Sequence, residues 1–269
     1  CSGEYGYKQS LTALNVQGCT ALQELKCTYN KLHELNVQGC TSLQKLDCYD
    51  NQLTSLNVQG LTALQELKCG NNQIHELSVQ SCTSLQQLNC YDNQLTSLNV
   101  QGLTRLQYIS GSNNKLTSLN VQGCTRLQQL GCTNNQLTSL NVQGLTKLQE
   151  LYCSKNQLTS LNVQGCTKLQ KLTCSDNQLS TLNVHGLTKL QDLRCYANKL
   201  NAEAFTKLLN DLPQREAEDK AQAVLYTTDI LKTEGNCKVF TNPPELKAAF
   251  EGAKKVKHWA LKKSSDDFY

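Results

Sequence analysis

Fifteen cysteines in a chain of 269 residues are the side chains best equipped for chemistry. A thiolate is a nucleophile, a metal ligand and a disulfide partner. The spacing argues for none of these roles. Cys27, Cys48, Cys69, Cys90, Cys132, Cys153, Cys174 and Cys195 share one column, every pair separated by a multiple of 21 residues. Cys19, Cys40, Cys82, Cys124 and Cys166 share a second, which from Cys40 onward alternates with Leu61, Leu103, Leu145 and Leu187. A residue that trades places with leucine serves as a small apolar side chain. Stacked copies place equivalent residues ~4.8 Å apart with parallel Cβ vectors. A disulfide needs Cβ atoms about 3.5–4.5 Å apart, and a metal needs ligands that converge. Reduced structural thiols are expected, with no metal and no cofactor. Cys1 and Cys237 lie outside both columns.

The remaining candidates carry less. Cys237 and His258 are a nominal nucleophile and base, without the local signature that would mark a catalytic pair. His33 and His75 stand two copies apart, about 10 Å, too far to share one metal. Asp50, Asp92 and Asp176 share a column beside a turn, where a solvated carboxylate is ordinary. No catalytic residue is assigned, and the chain is expected not to be an enzyme.

What positions the cysteines is an internal repeat, and a fixed period of this length is the first thing to settle. The recurring template is L-x-x-L-x-C-x-x-N-x-L-x-x-L-x-V-x-x-(C/L), with copies such as LQELKCTYNKLHELNVQGCTS at residues 22–42. Nine copies reach the asparagine: Asn30, Asn51, Asn72, Asn93, Asn114, Asn135, Asn156, Asn177 and Asn198. The L-x-C segment has period 2 and predicts a short strand with Leu and Cys inward. The asparagine is placed to bond backbone groups in the turn that follows, which burial would otherwise leave unpaired. The later Leu, Leu and Val return the chain across the far side of the coil. No copy buries its apolar side alone, so the core exists only in the stack. The expectation is an α/β leucine-rich-repeat solenoid, with a curved parallel sheet on the concave side and an irregular or 3-10 convex side.

The organisation follows: residues 1–20 as an N-terminal cap with a half-repeat (Tyr5 and Tyr7 included), 21–200 as nine repeats, and 201–269 as an α/β C-terminal cap. In that cap Phe205, Leu208, Leu209 and Leu212 have helical spacing ended by Pro213, and residues 220–228 read as a strand. A second helix is expected with Asn242 at the N-cap, Pro243 first and Glu245 third. Residues 256–262 alternate like a strand, with Trp259 and Leu261 on one face. Net charge is +4, which excludes a polybasic nucleic-acid binder. No apolar run approaches the ~20 residues that span a bilayer. The chain has no methionine and begins Cys1-Ser2-Gly3, which reads as a processed product with Cys1 as a candidate lipid anchor.

The 21-residue period with cysteine in place of the usual strand leucine, over residues 11–200, resembles the cysteine-ladder repeats of the internalin family of bacterial surface proteins. That resemblance implies an exported recognition or adhesion module, not an enzyme. Residues 201–269 resemble instead the α/β caps of leucine-rich-repeat surface proteins from Gram-negative anaerobes.

A solenoid of this kind binds through the strand face, so the outward strand positions are the candidates. Around Gly111, which replaces the column cysteine, these become small and uncharged: Ser110, Ser112, Gly131 and Thr133. Tyr91, Tyr108, Gln129 and Tyr152 border them. The candidate binding site is Tyr91, Tyr108, Ser110, Gln129, Gly131 and Tyr152, suited to a host protein or a glycan. Gly111 itself reads as drift. A stripe of Arg105, Arg126, Lys147, Lys168 and Lys189 runs off the strand face as a solubilising edge. A monomer is expected. The alternative reading is a structural spacer within a larger surface protein.

Overall fold

The computed structural model describes residues 10–229 and 231–264. The expectations for Cys1, Tyr5 and Tyr7 therefore lie outside the described residues. Two compact units, residues 1–136 and 137–269, are taken in turn.

The first unit is built from three-residue strands. β1 (Ala13–Asn15), β2 (Glu24–Lys26), β3 (Glu34–Asn36), β4 (Lys45–Asp47), β5 (Glu66–Lys68), β6 (Gln87–Asn89), β7 (Ser97–Asn99), β8 (Tyr108–Ser110), β9 (Ser118–Asn120) and β10 (Gln129–Gly131) follow one another along the chain. β2, β4, β5, β6, β8 and β10 form one parallel sheet in which each residue pairs with its equivalent in the next copy, as in Leu25↔Leu46 and Leu88↔Ile109. The middle residue of each of these strands points inward, and all but the outermost, Leu25, are buried. The column cysteines from Cys27 to Cys132 are fully buried and not disulfide-bonded. Burying one leucine contributes about 1.5–3 kcal/mol, and each turn buries several.

The turn after each strand has one geometry. Tyr29, Asp50, Asn71, Asp92, Asn113 and Asn134, each just before the repeat asparagine, all have φ of 51–57°. This left-handed region costs an L-residue ~1–2 kcal/mol, least for Asn and Asp. The aspartates Asp50 and Asp92 are thus turn formers. The asparagine then serves two copies at once. Asn93 Nδ2 donates to the carbonyls of Cys69 (3.0 Å), Cys90 (3.1 Å) and Tyr91 (3.3 Å), and its Oδ1 accepts from the Ile74 N–H (2.9 Å).

The return segments are irregular except where two copies approach. β1 pairs with β3, and β7 with β9. These close junctions alternate with open ones. A Cβ placed on Gly39 would lie 3.4 Å from Gly18, and one on Gly123 would lie 3.2 Å from Gly102, whereas Gly60 and Gly102 meet nothing within 4 Å. The second cysteine column follows this alternation. At close junctions the thiols of Cys40, Cys82 and Cys124 donate to the carbonyls of Val16 (3.2 Å), Val58 (3.5 Å) and Val100 (3.2 Å) in the preceding copy. Open junctions carry Leu61 and Leu103, and the side chains of Gln38 and Gln80 bridge them by donating to the Asn57 and Asn99 carbonyls. The exchange of cysteine with leucine is therefore set by spacing, and the second-column thiols are hydrogen-bond donors as well as apolar filler.

The second unit continues the pattern with β11 (Glu150–Tyr152), β12 (Lys171–Thr173) and β13 (Asp192–Arg194), then α1 (Ala202–Asp211), a 3-10 turn (Ala217–Asp219), β14 (Gln222–Thr227), α2 (Pro244–Lys255) and β15 (Ala260–Ser264). The parallel order is β11-β12-β13-β14-β15. Asn201 caps α1 by accepting from the Ala204 N–H, and Phe205, Leu208 and Leu209 are its buried face. Phe240 packs between Phe205 (5.2 Å) and Phe250 (4.9 Å). α2 starts one residue later than expected: Pro243, extended at ψ 170°, is the N-cap, and Pro244 takes the first helical position. Asn242 thus lies outside the cap, and Glu245 falls in the second helical position. The last strand begins at Ala260, because His258 adopts φ 56° and breaks the alternation. Trp259 is buried ahead of it, its indole N–H donating to Pro213 O (2.8 Å).

Candidate functional site

The strand face of the first unit divides into two zones by charge. On β2, β4 and β5 the outward residues alternate in sign along and across the strands: Glu24 and Lys26, then Lys45 and Asp47, then Glu66 and Lys68. Glu66 and Lys68 form an ion pair. On β6, β8 and β10 the outward residues are Gln87 and Asn89, Tyr108 and Ser110, Gln129 and Gly131, with no charge. Parallel pairing holds Asn89, Ser110 and Gly131 in one row and Gln87, Tyr108 and Gln129 in another.

Four of the expected site residues thus lie together. Tyr108 is 40% exposed, and its hydroxyl donates to Gln128 Oε1 on the next turn (3.2 Å). Ser110 and Gln129 are half-buried, and Gly131 is buried, with Ser112 Oγ 3.5 Å from where its Cβ would stand. A small, hydrogen-bonding, uncharged surface beside one exposed phenol suits a neutral contact that excludes water.

Tyr91 faces elsewhere. Its ring packs on Tyr49 (5.9 Å), and Tyr49 packs edge-on against Tyr29 (5.5 Å). The contact passes over Gly70: a Cβ there would stand 3.2 Å from Tyr91 Cδ1 and 3.1 Å from Asn89 Oδ1. Burial, reinforced by a hydrogen bond with Tyr49, raises the Tyr91 phenol above its ordinary range, so it remains a protonated donor. This tyrosine cluster borders the neutral zone and was missed from the sequence. Its signal was Tyr49 and Tyr91 in one column with glycine between them.

Tyr152 belongs to the second unit. Its hydroxyl donates to Glu150 Oε2 (2.6 Å), and the Lys171 ammonium lies 5.2 Å from its ring centroid. Burial and the Glu150 carboxylate raise its phenol as well. It therefore presents a charged neighbourhood rather than a neutral one.

Gly111 is buried with an ordinary backbone, and a Cβ would meet Cys90 Sγ, Gly131 O and Leu116 Cδ1 all at 3.8 Å. Neither conformation nor space demands glycine there. The basic-stripe residues Arg105, Arg126, Lys147, Lys168 and Lys189 are exposed. Cys237 is half-exposed, its thiol directed at Val239 O (3.3 Å). Among the described residues no group of three or more His, Cys, Asp or Glu side chains is placed to hold a metal, and no helix is long and apolar enough to cross a membrane.

Comparison with known proteins agrees with this architecture. A family model described as leucine rich repeats (2 copies) matches residues 41–81, 62–103 and 146–184. No curated protein sequence matches. Among solved structures, the functional domain of InlJ from Listeria monocytogenes, which includes a cysteine ladder, is 32% identical with a TM-score of 0.68, covering 78% of this chain and 46% of that one. The chain thus spans about half the length of that relative. The internalin InlF from L. monocytogenes is 21% identical (TM-score 0.70; 92% and 69% covered), and a leucine-rich-repeat protein of Leptospira interrogans 22% (0.60; 90% and 72%). The last two share the fold; the first shares the thiol column as well. The chain is a leucine-rich-repeat protein, internalin-like in its repeat and similar to the InlJ domain in carrying a cysteine ladder.

Proposed function

We propose that this protein is an exported, non-catalytic recognition module that binds a host protein through the strand face of its first unit. The observation that carries the proposal is the uncharged zone on β6, β8 and β10. A solvated protein surface ordinarily bears mixed charge, and the strands β2, β4 and β5 do so. Removing charge from three consecutive strands lowers the cost of desolvating that area on contact. Tyr108, Ser110, Gln129 and Gly131 form its centre, and Tyr91, held by Tyr49, its edge. Tyr152 is a separate contact to be tested by itself. The kinship with an internalin domain supports an extracellular setting, and Cys1 is the candidate lipid anchor. The protein acts as a monomer in this reading.

The test is an array of host matrix proteins and glycans probed with the purified chain. The Tyr108→Ala/Gln129→Ala variant is probed beside it after its melting has been matched. A protein hit lost in the variant supports the reading, and a glycan hit lost in it moves the ligand class while keeping the face. A hit that survives relocates binding to Tyr152, the basic stripe or the cap, and no hit at all favours a spacer.

A further inference from the structure

Cys19 and Cys40 differ from every other pair in the second column. They stand on successive turns in register, since β1 and β3 pair residue for residue at a separation of 21. Their junction is a close one, with Gly39 against Gly18. The Val16 carbonyl accepts from the backbone N–H of Cys19 (3.1 Å) and from the Sγ of Cys40 (3.2 Å), so the Cys40 sulfur is already drawn to the backbone of Cys19. At the other close junctions the place of Cys19 is taken by Leu61, Leu103 and Leu145. Cys19 is exposed, while Cys40 is buried. Paired parallel strands set equivalent Cα atoms ~4.8 Å apart, inside the ~4.4–6.8 Å that a disulfide spans. The residual mismatch lies in the Cβ–Cβ distance.

We propose that Cys19 and Cys40 form a thiol–disulfide exchange site that takes a small-molecule disulfide and closes into an internal clamp on the first turn. Cys19 is the entry thiol. After losing its proton to solvent it attacks the reagent's S–S bond, joins one half as a mixed disulfide and releases the other half as a thiolate. The Cys40 thiol then gives up its bond to the Val16 carbonyl, loses its proton and attacks the Cys19 sulfur. The second half departs as a thiolate. Two protein thiols become one disulfide, and one reagent disulfide becomes two thiols. The Val16 carbonyl keeps the Cys19 N–H as donor throughout, so the exchange orphans no backbone group.

The experiment uses the full chain carrying Cys237→Ser, incubated natively with oxidised glutathione, then alkylated and digested with trypsin. The expected product links peptide 9–26 to peptide 32–45, with free thiols falling by two and no glutathione retained on either peptide. Cys19→Ser abolishes the link and leaves the thiol count unchanged in this region. Cys40→Ser accumulates glutathione on Cys19. A wild-type product that retains glutathione on Cys19, or a Cys19 that does not react, overturns the proposal. The Cys19→Ser arm alters an exposed side chain and stays interpretable if Cys40→Ser fails to fold.

Discussion

The repeat asparagine is the residue on which the stack depends most, and Asn93→Ala measures how much. Its amide meets three carbonyls and one N–H, all in buried turn backbone. Two amide hydrogens satisfy at most two of the carbonyls well, those of Cys69 and Cys90. Truncation orphans the Ile74 N–H outright and takes one of two donors from each of these carbonyls, because Asn72 also reaches Cys69 O (3.1 Å) and Asn114 also reaches Cys90 O (3.1 Å). The orphaned N–H costs ~1–3 kcal/mol and each lost carbonyl bond about 0.5–1.5 kcal/mol, and partial relaxation brings the expected loss to about 2–4 kcal/mol. Asn99→Ala is the internal control. Asn99 is exposed and makes one local bond, accepting from the Gln101 N–H (3.0 Å). That N–H can turn to water, so its loss costs about 1 kcal/mol. Asn93→Asp keeps the acceptor for Ile74 but sets a carboxylate against the Cys69 and Cys90 carbonyls, and should be no better than alanine. Urea unfolding followed by circular dichroism reads all three. Equal losses for Asn93→Ala and Asn99→Ala would refute the ladder as the source of stability.

Other consequences are as direct. Gly111→Ala should raise stability by ~0.5–1 kcal/mol, because the site has room for a Cβ and the unfolded chain loses freedom; a loss on thermal unfolding would contradict this. Lys155 takes the left-handed turn position at φ 53°, so Lys155→Asn should gain a few tenths to ~1 kcal/mol in urea unfolding. Cys124→Leu should cost ~1–3 kcal/mol by overpacking a close junction and losing a bond to Val100 O, although leucine occupies the same column at the open ones. Burial pushes the thiols of Cys90, Cys132 and Cys174 up to about 12 from 9.0. The unfolded thiols ionise first as pH rises, the unfolded state then binds fewer protons, and stability should fall from about pH 9 toward pH 12. Stability that is flat over that range, by urea titration at stepped pH, would contradict buried neutral thiols.

The repeat made much of the fold legible. Period-2 spacing gave the strands, and identical asparagines every 21 residues gave a buried turn residue. The left-handed turn was harder to see, because Tyr29, Lys155 and Ala197 interrupt an otherwise Asp/Asn column. Alternation of cysteine with leucine was visible, but its cause, alternating close and open junctions, is a distance between copies that no single copy encodes. The cap hides a further rung. Asn236 Nδ2 donates to the carbonyls of Cys195 and Leu225, and its Oδ1 accepts from the Leu200 N–H, as a repeat asparagine would. It follows Leu225 by eleven positions, where a repeat asparagine follows its cysteine by three, so no spacing rule finds it. The Glu234 carboxylate closes that excursion by accepting from the Ala197 and Asn236 N–H groups. At the site, columns named the outward residues, but ring direction decided Tyr91, which turns over Gly70 toward Tyr49 instead of toward Gly111.

The central functional claim is that the uncharged strands β6, β8 and β10 are the contact surface. Its most direct test places one charge there and one elsewhere. Ser110→Glu sets a carboxylate in the middle of the neutral zone. Ser118→Glu sets the same group on an exposed return segment, on β9. With a ligand taken from the array, binding is measured by surface plasmon resonance at physiological salt. The account predicts that Ser110→Glu weakens binding at least tenfold, about 1.4 kcal/mol, and that Ser118→Glu leaves it within twofold. Loss with Ser118→Glu and none with Ser110→Glu would contradict it.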